Sequence, residues 1–194
     1  FGLMCYYLLQ LKEDTYTLLV FLALATFLYA TPLIPKRYLF DEQQNLREIS
    51  GVKIYVIALV WACVTVLLPV VNAGLDFTTD LSITLFQRFC YVLVIMLPFE
   101  IRDLNYDNLK LATIPQRIGV KKTKVIGLLL LMVFLMLEFF KDELNSYSVI
   151  STLIITFITL LFVIFSDKKQ SKYYSAFWVE ALPIIWLGIL LLLT

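Results

Sequence analysis

Runs of about 20 consecutive, predominantly apolar residues constrain this chain more than any other feature. A helix of that length spans about 30 Å of hydrocarbon and satisfies its own backbone amides where no water can do so. Six stretches approach it, at residues 16–35, 52–71, 79–101, 123–140, 147–166 and 173–193. A seventh, FGLMCYYLLQL at 1–11, is cut short and reads as the second half of a helix. All are rich in Leu, Ile, Val and Phe, without the short strands of alternating polarity that a membrane barrel needs. The predicted fold is all-α: a polytopic transmembrane helical bundle, one domain over 1–194, with about seven spans present.

Composition narrows the function classes. Apolar and aromatic residues make up 61% of the chain and charged residues 16%, against roughly 45–50% and about 25% in soluble domains. With a mean hydropathy of +0.87, a soluble enzyme is excluded. The net charge of +1 provides no chain-wide field for nucleic acid or an acidic partner. His is absent, which removes zinc–imidazole sites and Ser-His or Cys-His catalysis. Cys5, Cys63 and Cys90 lie singly inside apolar runs and read as small buried hydrophobes. The chain opens at Phe1 within an apolar stretch, without the pattern of a signal peptide, and is expected to be the remainder of a longer protein.

Charge placement supplies a topology. The successive connections carry 1, 4, 0, 6, 1 and 3 Lys or Arg, alternating low and high as a cytoplasmic excess of basic residues requires when every helix crosses once. Segments 36–53, 102–124 and 167–172 are therefore expected on the cytoplasmic side. Arg88 lies within the 79–101 run, where a cation costs about 2.5–3.5 kcal/mol on insertion scales. It needs a partner or a polar cavity, and Glu180 or Glu138 could pair with it.

Residues 98–124, PFEIRDLNYDNLKLATIPQRIGVKKTK, carry the densest chemistry. If the helix continues past the membrane edge, Glu100, Asp103 and Asp107 share one face. Carboxylates so placed suit Mg²⁺, which binds one or two of them together with substrate phosphates. Arg102, Lys110, Arg117, Lys121, Lys122 and Lys124 surround that face and offer cations to a diphosphate. Spacing alone fits equally a solvated helix end with weak surface pairs, its lysines setting topology. Lys36, Arg37 and Lys53 could likewise be positive-inside anchors, and Tyr29 an interfacial aromatic like Tyr173, Tyr174 and Trp178.

The stretch resembles the second aspartate-rich motif of the UbiA superfamily of intramembrane prenyltransferases. That motif typically reads Asn or Asp, two residues, Arg or Lys, Asp, three residues, Asp, with a Thr and a Gly downstream. Arg102, Asp103, Asp107, Thr113, Pro115 and Gly119 stand in those places, with Glu100 at or next to the opening polar position. A more diffuse similarity covers FLYATPLIPKRYLF and ISGVKIYVIALVWACVTVLLP, which look like the fourth helix of the family with its basic turn and the fifth helix. On this resemblance the seven spans correspond to the third to ninth of nine. The family's first aspartate motif is absent here, and Leu109, Lys110 and Leu111 occupy the interval where a Gly is usual.

The resemblance implies a Mg²⁺-dependent transfer of an isoprenyl group from a prenyl diphosphate to an aromatic or lipid-like hydrophobic acceptor, as in quinone or related lipid biosynthesis. It makes Asp103 and Asp107 the metal ligands and catalytic residues, and Glu100, Arg102, Arg117, Lys36, Arg37 and Lys53 substrate-binding, the last three and Arg102 against diphosphate charge. Tyr29 would face the acceptor. The expected location is multi-pass in the bacterial inner (plasma) membrane, in contact with membrane lipid, active-site loops cytoplasmic. Two alternatives remain: a UbiA-like membrane protein without catalysis, and a secondary transporter segment. Against the transporter, Pro98 and Pro183 lie near run ends, only Gly127 and Gly188 fall inside runs, and no half of the chain repeats.

Overall fold

In a computed structural model, which describes residues 2, 6, 8–30, 52–104 and 113–193, every regular element is helical. In chain order these are α1 (Glu13–Ala30), α2 (Val52–Ala62), a π-helical stretch (Cys63–Leu67) that continues into α3 (Leu68–Ala73), and α4 (Thr79–Asp103). Then come the short α5 (Ile114–Ile118), α6 (Val120–Glu138), α7 (Ser146–Phe165), a second π-helical stretch (Tyr174–Val179) and α8 (Leu182–Leu193). Four units are long and apolar enough to cross a membrane: Lys53–Ala73, Thr79–Asp103, Ser146–Phe165 and Tyr174–Leu193. The expected spans at 16–35 and 123–140 correspond to α1 and α6, which are not among the four. Glu13 and Asp14 open α1, where they complement the helix dipole, and α6 carries Lys121, Lys122, Lys124 and Glu138.

Local chemistry sets the helix ends. Thr78 caps α4, its side chain accepting from the Leu81 amide at 3.2 Å, and Asn145 caps α7 by accepting from the Tyr147 amide at 2.9 Å. Gly119 separates α5 from α6 at φ 81° and ψ 158°, in the half of conformational space that side chains with a Cβ avoid. Pro98 lies inside α4 and has no amide to give; Gln170 Nε2 donates to its carbonyl at 2.7 Å, tying the 166–172 connection to the helix.

α4 is the central post. Tyr91 and Val94 pack with Leu131 and Phe134 of α6, Ile155 and Val163 of α7, and Val179 and Leu182 of the last hairpin arm. The rings of Tyr91, Phe134 and Trp186 meet at centroid distances of 4.9, 5.2 and 5.4 Å. Val92 and Leu93 pack with Ile54 and Ala58 of α2. Gly127 is needed where α6 crosses: a Cβ there would stand 2.9 Å from Leu97 Cδ1 and 3.1 Å from Val163 Cγ1. Contacts 97 to 127, 91 to 134 and 87 to 138 run in opposite order along α4 and α6, so the two are antiparallel.

The outward faces are apolar as well. Leu129, Met132 and Met136 of α6 and Leu153, Phe157 and Ile164 of α7 are all exposed. Water-soluble monomers rarely carry such continuous apolar surface.

Candidate functional site

Two charged regions and a cavity between them concentrate the polar chemistry. The first is the C-terminal turn of α4. Arg102 Nε donates to Asp103 Oδ1 at 2.7 Å, with the two side chains 20% and 29% exposed. Neighbouring residues on a helix do not face each other, so the long Arg102 side chain must fold back to reach its neighbour. Its NH1 donates to Ser175 Oγ at 2.8 Å, reaching the π-helical stretch before α8. The guanidinium carbon lies 5.4 Å from the Phe99 ring centroid. Glu100, on the other side of this turn, is buried at 7% exposure.

The hairpin of α2 and α4 brings further basic residues to the same end. Lys53, exposed in the first turn of α2, precedes Ile54, which shares a cluster with Val92, Leu93, Met96 and Ile114. Ile114 opens α5, whose last turn holds the exposed Arg117. The buried Thr113 receives the Gln116 side chain on its amide at 3.0 Å. Lys124 has a structural task, donating to the Ile164 carbonyl at 2.7 Å at the end of α7.

The structure thus gathers Glu100, Arg102, Asp103, Lys53 and Arg117 at one end of the bundle, with Glu100 and Asp103 three residues apart on α4. The assigned helix stops at Asp103, with Leu104 as its cap, and Asp107 lies outside the described residues, as do Lys36, Arg37 and the side chain of Tyr29. Glu100 is buried while Asp103 is partly open and bonded to Arg102. Among the described residues no three Asp, Glu, Cys or His groups could hold a metal ion. Asp103 is a hard oxygen ligand of the kind Mg²⁺ accepts, so the donor chemistry fits, and Asp107 would have to complete it.

The second charged region lies at the opposite end. Glu138 is 2% exposed, yet Gln87 Nε2 donates to its Oε2 at 2.8 Å, Lys141 Nζ to the same oxygen at 2.6 Å, and Ser148 Oγ to Oε1. Gln87 also donates to the Phe134 carbonyl at 3.0 Å. Asp80 accepts from the amides of Asp142 and Glu143 at 2.8 and 3.3 Å, pinning the same connection to the start of α4. Glu138 is therefore not the partner of Arg88, and no Arg88–Glu180 ion pair forms among the described residues.

Instead, Arg88 and Glu180 line a common cavity of about 680 Å³, whose other walls include Trp61, Tyr91, Ile95, Met96, Phe99 and Phe177. Sequence reading anticipated that Arg88 requires a cavity or a partner. It does not give the elements that line the cavity, which are α2, α4 and the last arm, nor the role of Gln87, whose only signal is a second polar residue beside Arg88 in an apolar run. Comparison with family models, curated proteins and solved structures returns no match for this chain.

Proposed function

We propose that this chain is a membrane-embedded, Mg²⁺-dependent prenyltransferase of the UbiA type, with seven spans and its basic end on the cytoplasmic face. The observation that carries this reading is the position of Phe99. Its ring lies under the Arg102 guanidinium and also forms part of the wall of the apolar cavity. A cationic group at the end of an apolar chamber matches an amphiphile with an anionic head and a hydrocarbon tail, as a prenyl diphosphate is. Lys53 and Arg117 stand at the same end and add positive potential for the head.

In such a transfer the allylic carbon–oxygen bond to diphosphate breaks, a bond to an acceptor carbon or oxygen forms, and the acceptor loses a proton. Asp103 with Asp107 would hold Mg²⁺, which when bound would supply Lewis-acid stabilisation to the diphosphate. Arg102, anchored by Ser175, orients and neutralises phosphate oxygens. Ile95, Met96 and Phe99 keep water from the reacting carbon. The hydrophobic acceptor, aromatic or lipid-like, enters from the bilayer, which the apolar outer faces of α6 and α7 meet.

The test is equilibrium binding of geranylgeranyl diphosphate to the intact gene product in nanodiscs, with Mg²⁺ and with EDTA. Binding that requires Mg²⁺ and falls tenfold or more in Asp103→Asn and in Asp107→Asn, about 1.4 kcal/mol each, is the expected result. Equal binding by wild type and both variants would overturn the reading.

A further inference from the structure

The apolar cavity has one cationic side chain in its wall, Arg88, away from the Phe99 end that adjoins Arg102. Arg88 precedes Arg102 by fourteen residues on α4, about 21 Å along a helix rising 1.5 Å per residue. Its guanidinium carbon lies 4.2 Å from the Trp186 ring centroid. Among the described residues no ion pair engages it, and its Nε is buried without a hydrogen-bond partner. Glu138 is saturated by Gln87, Lys141 and Ser148, while Glu180 shares the cavity wall without bridging to Arg88. Arg88 also borders a smaller cavity of about 210 Å³ whose lining includes Gln87, Ser151 and the Glu138–Lys141 pair, so the charges on that side are already matched to each other.

We propose that Arg88 is the head-group receptor of a second ligand site, one for a carboxylate amphiphile of the fatty-acid type. A guanidinium is permanently charged and presents a planar fork that matches a carboxylate. Because no ion pair among the described residues holds Arg88, an incoming carboxylate has none of these to displace. The alkyl chain would lie along Trp61, Ile95 and Met96, where the cavity is apolar. A long-chain carboxylic acid can cross hydrocarbon in its neutral form and ionise beside Arg88, forming the pair that the isolated cation lacks. This site shares the chamber that the prenyl chain would fill, so the two ligands would exclude each other, but it does not rest on the prenyl diphosphate reading, since its cation and its ligand are different.

Radiolabelled oleate and oleyl alcohol, measured by equilibrium binding to the intact gene product in phosphatidylcholine nanodiscs without Mg²⁺, separate the head group from the tail. Wild type should hold oleate at least tenfold tighter than the alcohol. Arg88→Gln should bring oleate down to the alcohol's affinity, Arg88→Lys should fall between, and the exposed Lys169→Gln should match wild type. Equal affinity of wild type for the two probes overturns the proposal without any variant. So does a folded Arg88→Gln protein that keeps wild-type oleate affinity, or a loss seen in Arg102→Gln and not in Arg88→Gln, which would put the carboxylate at the other end.

Discussion

The two ends of α4 treat buried charge in opposite ways. At one end Glu138 is almost fully enclosed and takes hydrogen bonds from three side chains on α4, α7 and the 139–145 connection. At the other, Arg102 and Asp103 are partly open and hold each other with a single further tie to Ser175. A saturated, closed network stitches helices together and leaves no valence for a ligand. A half-open ion pair with weak internal bonding can exchange partners, because the loss of a surface pair costs only about 0–1 kcal/mol. The first arrangement suits a structural role and the second leaves its groups able to exchange partners, and this difference can be broken by mutation.

The largest effect is expected at the closed end. Glu138→Ala leaves Lys141 and Gln87 without their acceptor in a buried site, which should cost about 3–5 kcal/mol, read as a large fall in the thermal midpoint of the detergent-solubilised protein. A small fall would mean that water reaches this network and that the two ends are alike. Next comes Gly127→Ala, where the new methyl presses on Leu97 and Val163; about 1–3 kcal/mol of destabilisation is expected from overpacking, by the same unfolding measurement. An unchanged midpoint would show that α6 can shift away from α4.

Asp103→Asn sharpens the contrast from the open end. It should leave the thermal midpoint nearly unchanged, within about 1 kcal/mol for a partly exposed pair, while removing most Mg²⁺-dependent prenyl diphosphate binding. Loss of stability comparable with Glu138→Ala would make the open end structural too. Smallest is Gln170→Ala, which deletes the donor to the Pro98 carbonyl and should cost about 0.5–1.5 kcal/mol, visible as faster amide exchange in the last turns of α4. No change there would mean that the last turns of α4 hold without this tie.

Much of the helical layout was legible because burial in hydrocarbon demands length. The runs at 52–71, 79–101, 147–166 and 173–193 match Lys53–Ala73, Thr79–Asp103, Ser146–Phe165 and Tyr174–Leu193 to within two residues at each end. Thr78 and Asn145 cap two of them with side-chain oxygens at the positions where the apolar runs begin. The candidate site was legible only as a set of residue types. That Arg102 bonds to Asp103 and Ser175 depends on a contact between residues 73 apart in sequence, which helical spacing on α4 does not encode. Nor does spacing say that Glu100 is buried while Asp103, one turn on, stays partly open, because that depends on what packs against α4.

By itself the amino-acid sequence determined that this chain forms apolar helices and that its basic connections alternate along the chain, because transfer of backbone and charge between water and hydrocarbon is settled locally, segment by segment. It also determined that Arg88 must be accommodated within an apolar helix. Only the tertiary structure decided how: stacked on Trp186 and bordering two cavities that it shares with Glu138 and Glu180, without an ion pair to either. Helix–helix packing chooses which side chains meet, and in a bundle whose inner and outer surfaces are equally apolar, periodicity carries little information about that choice.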